Sequence, residues 1–257
     1  MAWGESFTVD ETEHANARRQ VFYEMVSGAS GLLLALFMWG HVLLVGSILT
    51  GARGFDWLAS TLEDYYIAQP TVLVIFLLFL VHAVFASRKI PVKLRERRRF
   101  LKLSKDLRMA SLRKRADGRI TGFEPHKESL LWIWQVRTGM IILVLASFHL
   151  ILLGLDVLTP MFGERSGIES ATTLARVQGG LWLPYSVLLL CVEFHASVGL
   201  YRLAVKWGAG RMMSRAAMHV VEQIMFWIVL GLGFVTLLVL AGVMTPPLEF
   251  LLPEMSS

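Results

Sequence analysis

His41, His82, His149 and His195 each sit in a different long apolar segment of the chain. Hydrocarbon penalises a polar side chain that has no partner, so four intramembrane imidazoles at matched depths ask for a shared reason. Haem iron supplies one, because neutral imidazole is a common axial ligand and two of them fill both axial positions. A proton relay would instead string carboxylates and hydroxyls along one path. The four histidines therefore predict two bis-histidine haems buried in a membrane. His14, His126 and His219 lie outside the apolar cores. His14 reads as a solvated tail residue; His126 and His219 read as surface residues near span ends, with His126 placed where it can reach a haem propionate.

The segments that must hold these ligands are legible in the hydropathy. With 257 residues, 55% of them hydrophobic and 18% charged, and a mean hydropathy of +0.56, the chain is too apolar for a soluble domain of its size. Reading between charges gives apolar stretches at Met25–Ala52, Tyr65–Ser87, Thr138–Leu155, Val177–Tyr201 (interrupted by Glu193) and Gln223–Leu248. Each approaches the length a helix needs to cross roughly 30 Å of hydrocarbon at about 1.5 Å per residue. The uncharged run Ser129–Val136 lengthens the third. The predicted fold is all-α, one integral membrane domain over residues 1–257. Five transmembrane helices at about 25–52, 65–87, 132–155, 177–203 and 219–245 enclose two haems, and a basic loop spans 88–128. Residues 1–24 carry Glu5, Asp10, Glu11 and Glu13 and no short apolar run ending in small residues, so the first span reads as a retained helix. The only cysteine, Cys191, excludes an internal disulfide or thiolate cluster and reads as a packing residue.

Orientation follows from the cations. The segment Arg88–Glu128 holds 15 of the 25 Lys and Arg against five acids, and Arg202, Lys206, Arg211 and Arg215 follow the fourth span. The loops and tail on the other side carry only Arg53, Arg165 and Arg176. The positive-inside rule then puts the amino terminus and both basic loops in the cytoplasm, and the tail with Pro246, Pro247, Glu249 and Glu254 outside. The basic run serves topology and anionic lipid, or docks a soluble partner. No nucleic-acid partner is expected.

Depth sorts the histidines. His82 is six residues from Arg88 and His195 seven from Arg202, or roughly 9–10 Å of helix. His149 is 12 residues from Arg137 and His41 is 17 from Glu24, or roughly 18–25 Å. The expected pairs are His82 with His195 in the inner leaflet and His41 with His149 in the outer.

The stretch Val192-Glu193-Phe194-His195-Ala196-Ser197-Val198-Gly199-Leu200-Tyr201-Arg202-Leu203-Ala204-Val205-Lys206-Trp207-Gly208 resembles the fourth-helix signature of the dihaem cytochrome b subunit of menaquinol:fumarate reductase. The resemblance extends to Phe37-Met38-Trp39-Gly40-His41, to His82-Ala83-Val84-Phe85-Ala86-Ser87-Arg88-Lys89 and to Leu131-Trp132-Ile133-Trp134-Gln135, and it weakens in the fifth helix, the amino-terminal tail and the outer loops. Cytochromes b of the quinol:cytochrome c reductase type place two ligands on each of two helices, a pattern absent here. The resemblance implies two haem b with the same histidine pairs and menaquinol as substrate. It also implies an iron-sulfur subunit and a flavoprotein subunit carrying FAD on the cytoplasmic face of a bacterial inner membrane, in a dimer of heterotrimers. The chain has neither a flavin fingerprint nor a cysteine cluster of its own, so FAD, iron-sulfur clusters and dicarboxylate chemistry belong to those partners.

The resemblance also assigns Lys206 and Trp132 to the propionates of the inner haem and Arg176 to those of the outer. Lys206 and Trp132 equally suit a topogenic lysine and an interfacial anchor. Glu63, in Thr61-Leu62-Glu63-Asp64-Tyr65, lines up with the family's quinol-site glutamate, with Asp64 as rival. Quinol oxidation releases two protons, and a carboxylate beside the quinol hydroxyl can act as base. Glu193 interrupts a membrane crossing, where it is costly unless protonated or paired. It lies about 200° round the helix from His195 and does not serve that ligand's own ring. In the family this position is linked to proton movement across the membrane. Between Leu112 and Phe123 the basic loop is longer than the family's. The competing readings are a succinate dehydrogenase anchor running electrons to menaquinone, a cytochrome b anchor of a hydrogenase or formate dehydrogenase, and a haem-free transporter or channel.

Overall fold

The computed structural model describes residues 11–88, 127–158 and 168–252, with isolated positions between 90 and 102. The extended basic segment 111–125, His126 and Arg165 lie outside the described residues. Among those described, every regular element is helical, and five are long and apolar enough to cross a bilayer: Ala17–Thr50, Pro70–Ser87, Leu130–Leu155, Ser170–Lys206 and Arg215–Leu240.

Helix α1 runs Glu11–Gly46 and tightens into a 3-10 turn at Ser47–Thr50. Its 36 residues reach about 54 Å, well beyond the roughly 30 Å of hydrocarbon. It starts earlier than residue 25 because hydropathy registers lipid contact and is blind to helix built from Ala, Arg and Glu. Gly51, at φ 91°, turns the chain into α2 (Ala52–Asp64). The apolar stretch Met25–Ala52 therefore ends in a turn, and Glu63 sits at the end of a helix where a loop was expected. Helix α2 is amphipathic: Gly54, Phe55 and Ala59 are buried while Arg53, Trp57 and Ser60 face out.

Helix α3 (Ala68–Ser87) returns across the membrane, followed by α4 (Lys127–Leu158). The fourth crossing is composite: α5 (Ser170–Arg176), a π-turn at Val177–Leu181 with Gly180 at φ 108°, then α6 (Trp182–Lys206). Helix α7 (Arg215–Leu240) is capped by Ser214, whose Oγ accepts from the Ala217 N–H at 3.2 Å. It ends at Leu240, short of the expected 245. Gly242, at φ 74°, reverses the chain, its N–H donating to the Val239 carbonyl and that of Val243 to Leu238. Val243 and Met244 keep the sequence apolar past that end.

Three close packings organise the bundle: α1 on α3, α4 on α6, and α6 on α7, with α7 also against α1. At the end remote from Arg88, Arg137, Arg202 and Arg215, the 3-10 turn and α2 supply Ile48, Leu49, Phe55 and Ala59 to a core shared with Val177, Val239 and Leu240. Asp56 locks that end, its two carboxylate oxygens accepting from the Ser170 N–H (2.6 Å) and hydroxyl (2.8 Å). The other end is basic, and Arg88 lies over the Tyr23 ring at 3.6 Å, an arrangement suited to the lipid headgroup region.

Candidate haem sites and quinol cleft

The four intramembrane histidines meet in two pairs. The rings of His82 (α3) and His195 (α6) have centroids 6.2 Å apart at 90°, and those of His41 (α1) and His149 (α4) 6.4 Å apart at 65°. Neither α3 with α6 nor α1 with α4 is among the closely packed helix pairs, so the imidazoles span separated backbones. A metal–imidazole bond is about 2.0 Å and the bonded nitrogen lies about 1.1 Å from its ring centre, so two axial imidazoles on one ion put their centres about 6.2 Å apart. Both pairs fit that spacing. Among the described residues no three His, Cys, Asp or Glu converge, so each pair offers two nitrogens, the donor number a haem iron takes from protein.

Ring orientation is set from the neighbouring helix, and the inner pair uses one device twice. His82 Nδ1–H donates to the Ser27 carbonyl of α1 at 3.1 Å, with Ser30 Oγ at 3.3 Å. His195 Nδ1–H donates to the Gln135 carbonyl of α4 at 2.9 Å. A carbonyl only accepts, so both rings carry their proton on Nδ1 and keep Nε2 for a metal. Four residues beyond each carbonyl stands a glycine. A Cβ on Gly31 would fall 2.8 Å from Cε1 of His82, and one on Gly139 2.8 Å from Cε1 of His195. Gly139→Ala is therefore expected to displace His195 and weaken whatever group the His82–His195 pair holds while leaving the His41–His149 pair undisturbed; a reduced-minus-oxidised spectrum of the purified variant checks this. Gln135 also accepts from Arg202 Nη1 at 2.8 Å through its side chain, a second tie between α4 and α6.

The outer pair is held by aromatics. Phe37 stacks on His41 one turn away (centroids 5.6 Å, 22°), and the Tyr185 hydroxyl lies 3.2 Å from His149 Nδ1. Arg176, only 4% exposed, ends α5 beside the π-turn, its Nη2 donating to Thr173 Oγ1 at 3.1 Å. A buried guanidinium at the end of the fourth crossing remote from the basic loops suits an anionic propionate. Lys206 Nζ is paired with Glu24 across α6 and α1, and Trp132 is half-buried three residues before Gln135.

Glu193 is 1% exposed, and its Oε1 has no hydrogen-bond partner among the described residues. Glu63 lines a cleft of about 640 Å³ with Arg53, Asp56, Trp57, Ser60 and Glu169, between α2 and the start of α5. Asp64, the rival acid, is exposed at the helix end and is not part of the lining. Sequence reasoning missed the ring-orienting partners Ser27, Ser30, Gln135 and Tyr185. The usable signal was a glycine inside an apolar helix, which marks close approach of a neighbour.

Residues 113–241 match the family described as the succinate dehydrogenase/fumarate reductase transmembrane subunit. A protein named fumarate reductase cytochrome b subunit from Wolinella succinogenes is 33% identical over 212 residues, covering 79% of this chain and 73% of that one. The chain belongs to this family. A Helicobacter pylori protein of the same name is 33% identical over 220 residues, covering 81% of this chain and 76% of its own. Membership in the succinate dehydrogenase/fumarate reductase transmembrane subunit family agrees with the five apolar helices, and the matched segment includes α4 and α6, two of the four helices that carry the paired histidines.

Proposed function

We propose that this chain is the dihaem cytochrome b anchor of a quinol:fumarate reductase, oxidising menaquinol at its outer end and delivering electrons to iron-sulfur and flavoprotein subunits docked on its basic, cytoplasmic end. The observation that carries the reading is the pair of histidine couples at axial-ligand spacing, in a chain whose relatives are named fumarate reductase cytochrome b subunits. Two haems held by these couples would supply one-electron relay stations between the two membrane faces. Ser27, Gln135 and Tyr185 fix the imidazoles for that task, and Arg176 offers a counter-charge at the outer end. At the outer cleft, Glu63 accepts a quinol proton and passes it to water outside. The test is the complex copurified through this chain: two b-type midpoints, and fumarate reduced by a menaquinol analogue. A haem-free preparation would overturn the reading.

Glu193 acts, in the same reading, as a proton carrier. Quinol oxidation outside and proton consumption inside would charge the membrane, at about 2.3 kcal/mol per charge for each 100 mV. A proton moving inward with each negative charge cancels that cost, and a buried carboxyl whose Oε1 has no hydrogen-bond partner among the described residues is suited to receive and release one. Glu193→Gln keeps the shape and is expected to stop quinol-driven turnover with the haem spectrum intact. Reconstituted variant enzyme that turned over normally without generating a potential would exclude the role.

A further inference from the structure

Near the basic end, α6 and α7 bring together a titratable cluster that neither the haem sites nor the quinol cleft uses. The imidazole of His219 on α7 stacks on Tyr201 of α6, centroids 3.9 Å apart at 21°, and its Nδ1 lies 3.0 Å from Glu222 Oε2. The Glu222 side chain is 14% exposed and that of His219 40%, so the pair joins a sheltered carboxylate to an accessible ring. Tyr201, 6% exposed, covers one face of the ring.

The cluster ends a buried polar row. Glu193, Ser197 and Tyr201 are spaced four residues apart along α6, at 1%, 9% and 6% exposure. The same row begins with Leu189, packed so tightly on Gly233 of α7 that a Cβ there would fall 2.6 Å from Leu189 Cδ1. With Leu189 against α7 at one end and Tyr201 against His219 at the other, the row between them follows the α6–α7 seam. Glu193 and Tyr201 are about 12 Å apart along the axis, and below Tyr201 the seam opens on the half-exposed His219. A carboxylate paired with an imidazole at the mouth of a buried polar seam is the arrangement by which a proton is passed between a membrane interior and water.

We propose that His219 and Glu222 form the basic-end proton port of this seam, with Tyr201 as the residue that positions the His219 ring. The proposal rests on the quinol:fumarate reading above. In the working direction a proton coming down the seam binds the sheltered Glu222 carboxylate, passes from it to His219 Nδ1, and the exposed ring releases its Nε2 proton to water at the basic end. One proton enters and one leaves, and the imidazole returns to neutral by turning over its tautomer.

The test uses the whole complex in sealed vesicles, driven by a menaquinol analogue with fumarate supplied on the side of the soluble subunits. His219→Ala and Glu222→Gln should each slow turnover at least about tenfold, the range a positioned proton-transfer group supplies. Haem spectra and midpoints should stay as in the unmodified complex. A protonophore gives protons another way in, so it should restore the rate of both variants. Normal turnover of either variant without the protonophore would overturn the proposal, and so would a slow rate the protonophore leaves unchanged, which marks damaged packing. Unmodified complex that fails to couple quinol to fumarate would overturn the functional reading itself, a result visible before any variant is compared.

Discussion

Replacing His195 or His82 with alanine is expected to remove one and the same haem, and replacing His41 or His149 the other. The centroid separations of 6.2 and 6.4 Å join these residues in two couples and no others, and an iron that loses one of two axial nitrogens loses half of its protein ligation. Redox titration of the four single variants would show one midpoint missing in the first two and the second midpoint missing in the others. Quinol-driven fumarate reduction should vanish in all four, since a relay with one station gone leaves the outer end unconnected to the inner. Fumarate reduction fed by a dye directly to the soluble subunits should survive wherever the complex assembles. Loss of the same midpoint in His82→Ala and His41→Ala would break the pairing.

Glu63→Gln is expected to depress menaquinol oxidation by about 10²- to 10⁴-fold with both haems bound, the span attributed to a general base in proton transfer. The cleft that Glu63 lines also contains Asp56, but both oxygens of Asp56 are committed to Ser170. Glu63 is the acid there that α2 presents without such a tie among the contacts described. The variant keeps the side-chain volume, so the dye-driven reaction and the haem spectrum serve as controls. Retention of quinol turnover in Glu63→Gln with loss in Asp64→Asn would move the base to the neighbouring residue.

The bundle and its histidine couples were legible in the sequence because both rest on one-dimensional quantities. Lipid contact demands uninterrupted hydropathy, and the distance of each histidine from the nearest charge gives its depth at a fixed rise per residue. Counting from Arg88 and Arg202 paired His82 with His195, and the two rings lie 6.2 Å apart, edge to face, in the structure. What stayed hidden depends on which helix faces which. Ser27 and Gln135 hold imidazoles through backbone carbonyls, which every residue possesses, so side-chain identity carries no trace of the role. Helix α2 was hidden for another reason. Its apolar face is matched by Arg53, Asp56, Glu63 and Asp64, so its average hydropathy is that of a loop and only its periodicity marks it as a helix. His219 read as a surface residue from its position in the chain; the stack on Tyr201 exists only once α6 and α7 are side by side.

The π-turn at Val177–Leu181 bears on how this segment tolerates changes of length. Gly180, at φ 108°, leaves the helical region, so the helix before it and the helix after it meet at a break and are offset from one another there. Arg176 and Tyr185 are aimed inward from opposite sides of that offset. Deleting Gly180 alone would remove the residue at which the two helices change direction. It would then shift Arg176, with the Asp56 cap on Ser170 behind it, relative to Tyr185 while leaving the composition of the segment nearly unchanged. Relatives that differ by one residue here would therefore have to differ in how the outer end is closed, and insertions and deletions at 177–181 record that geometry more directly than substitutions do.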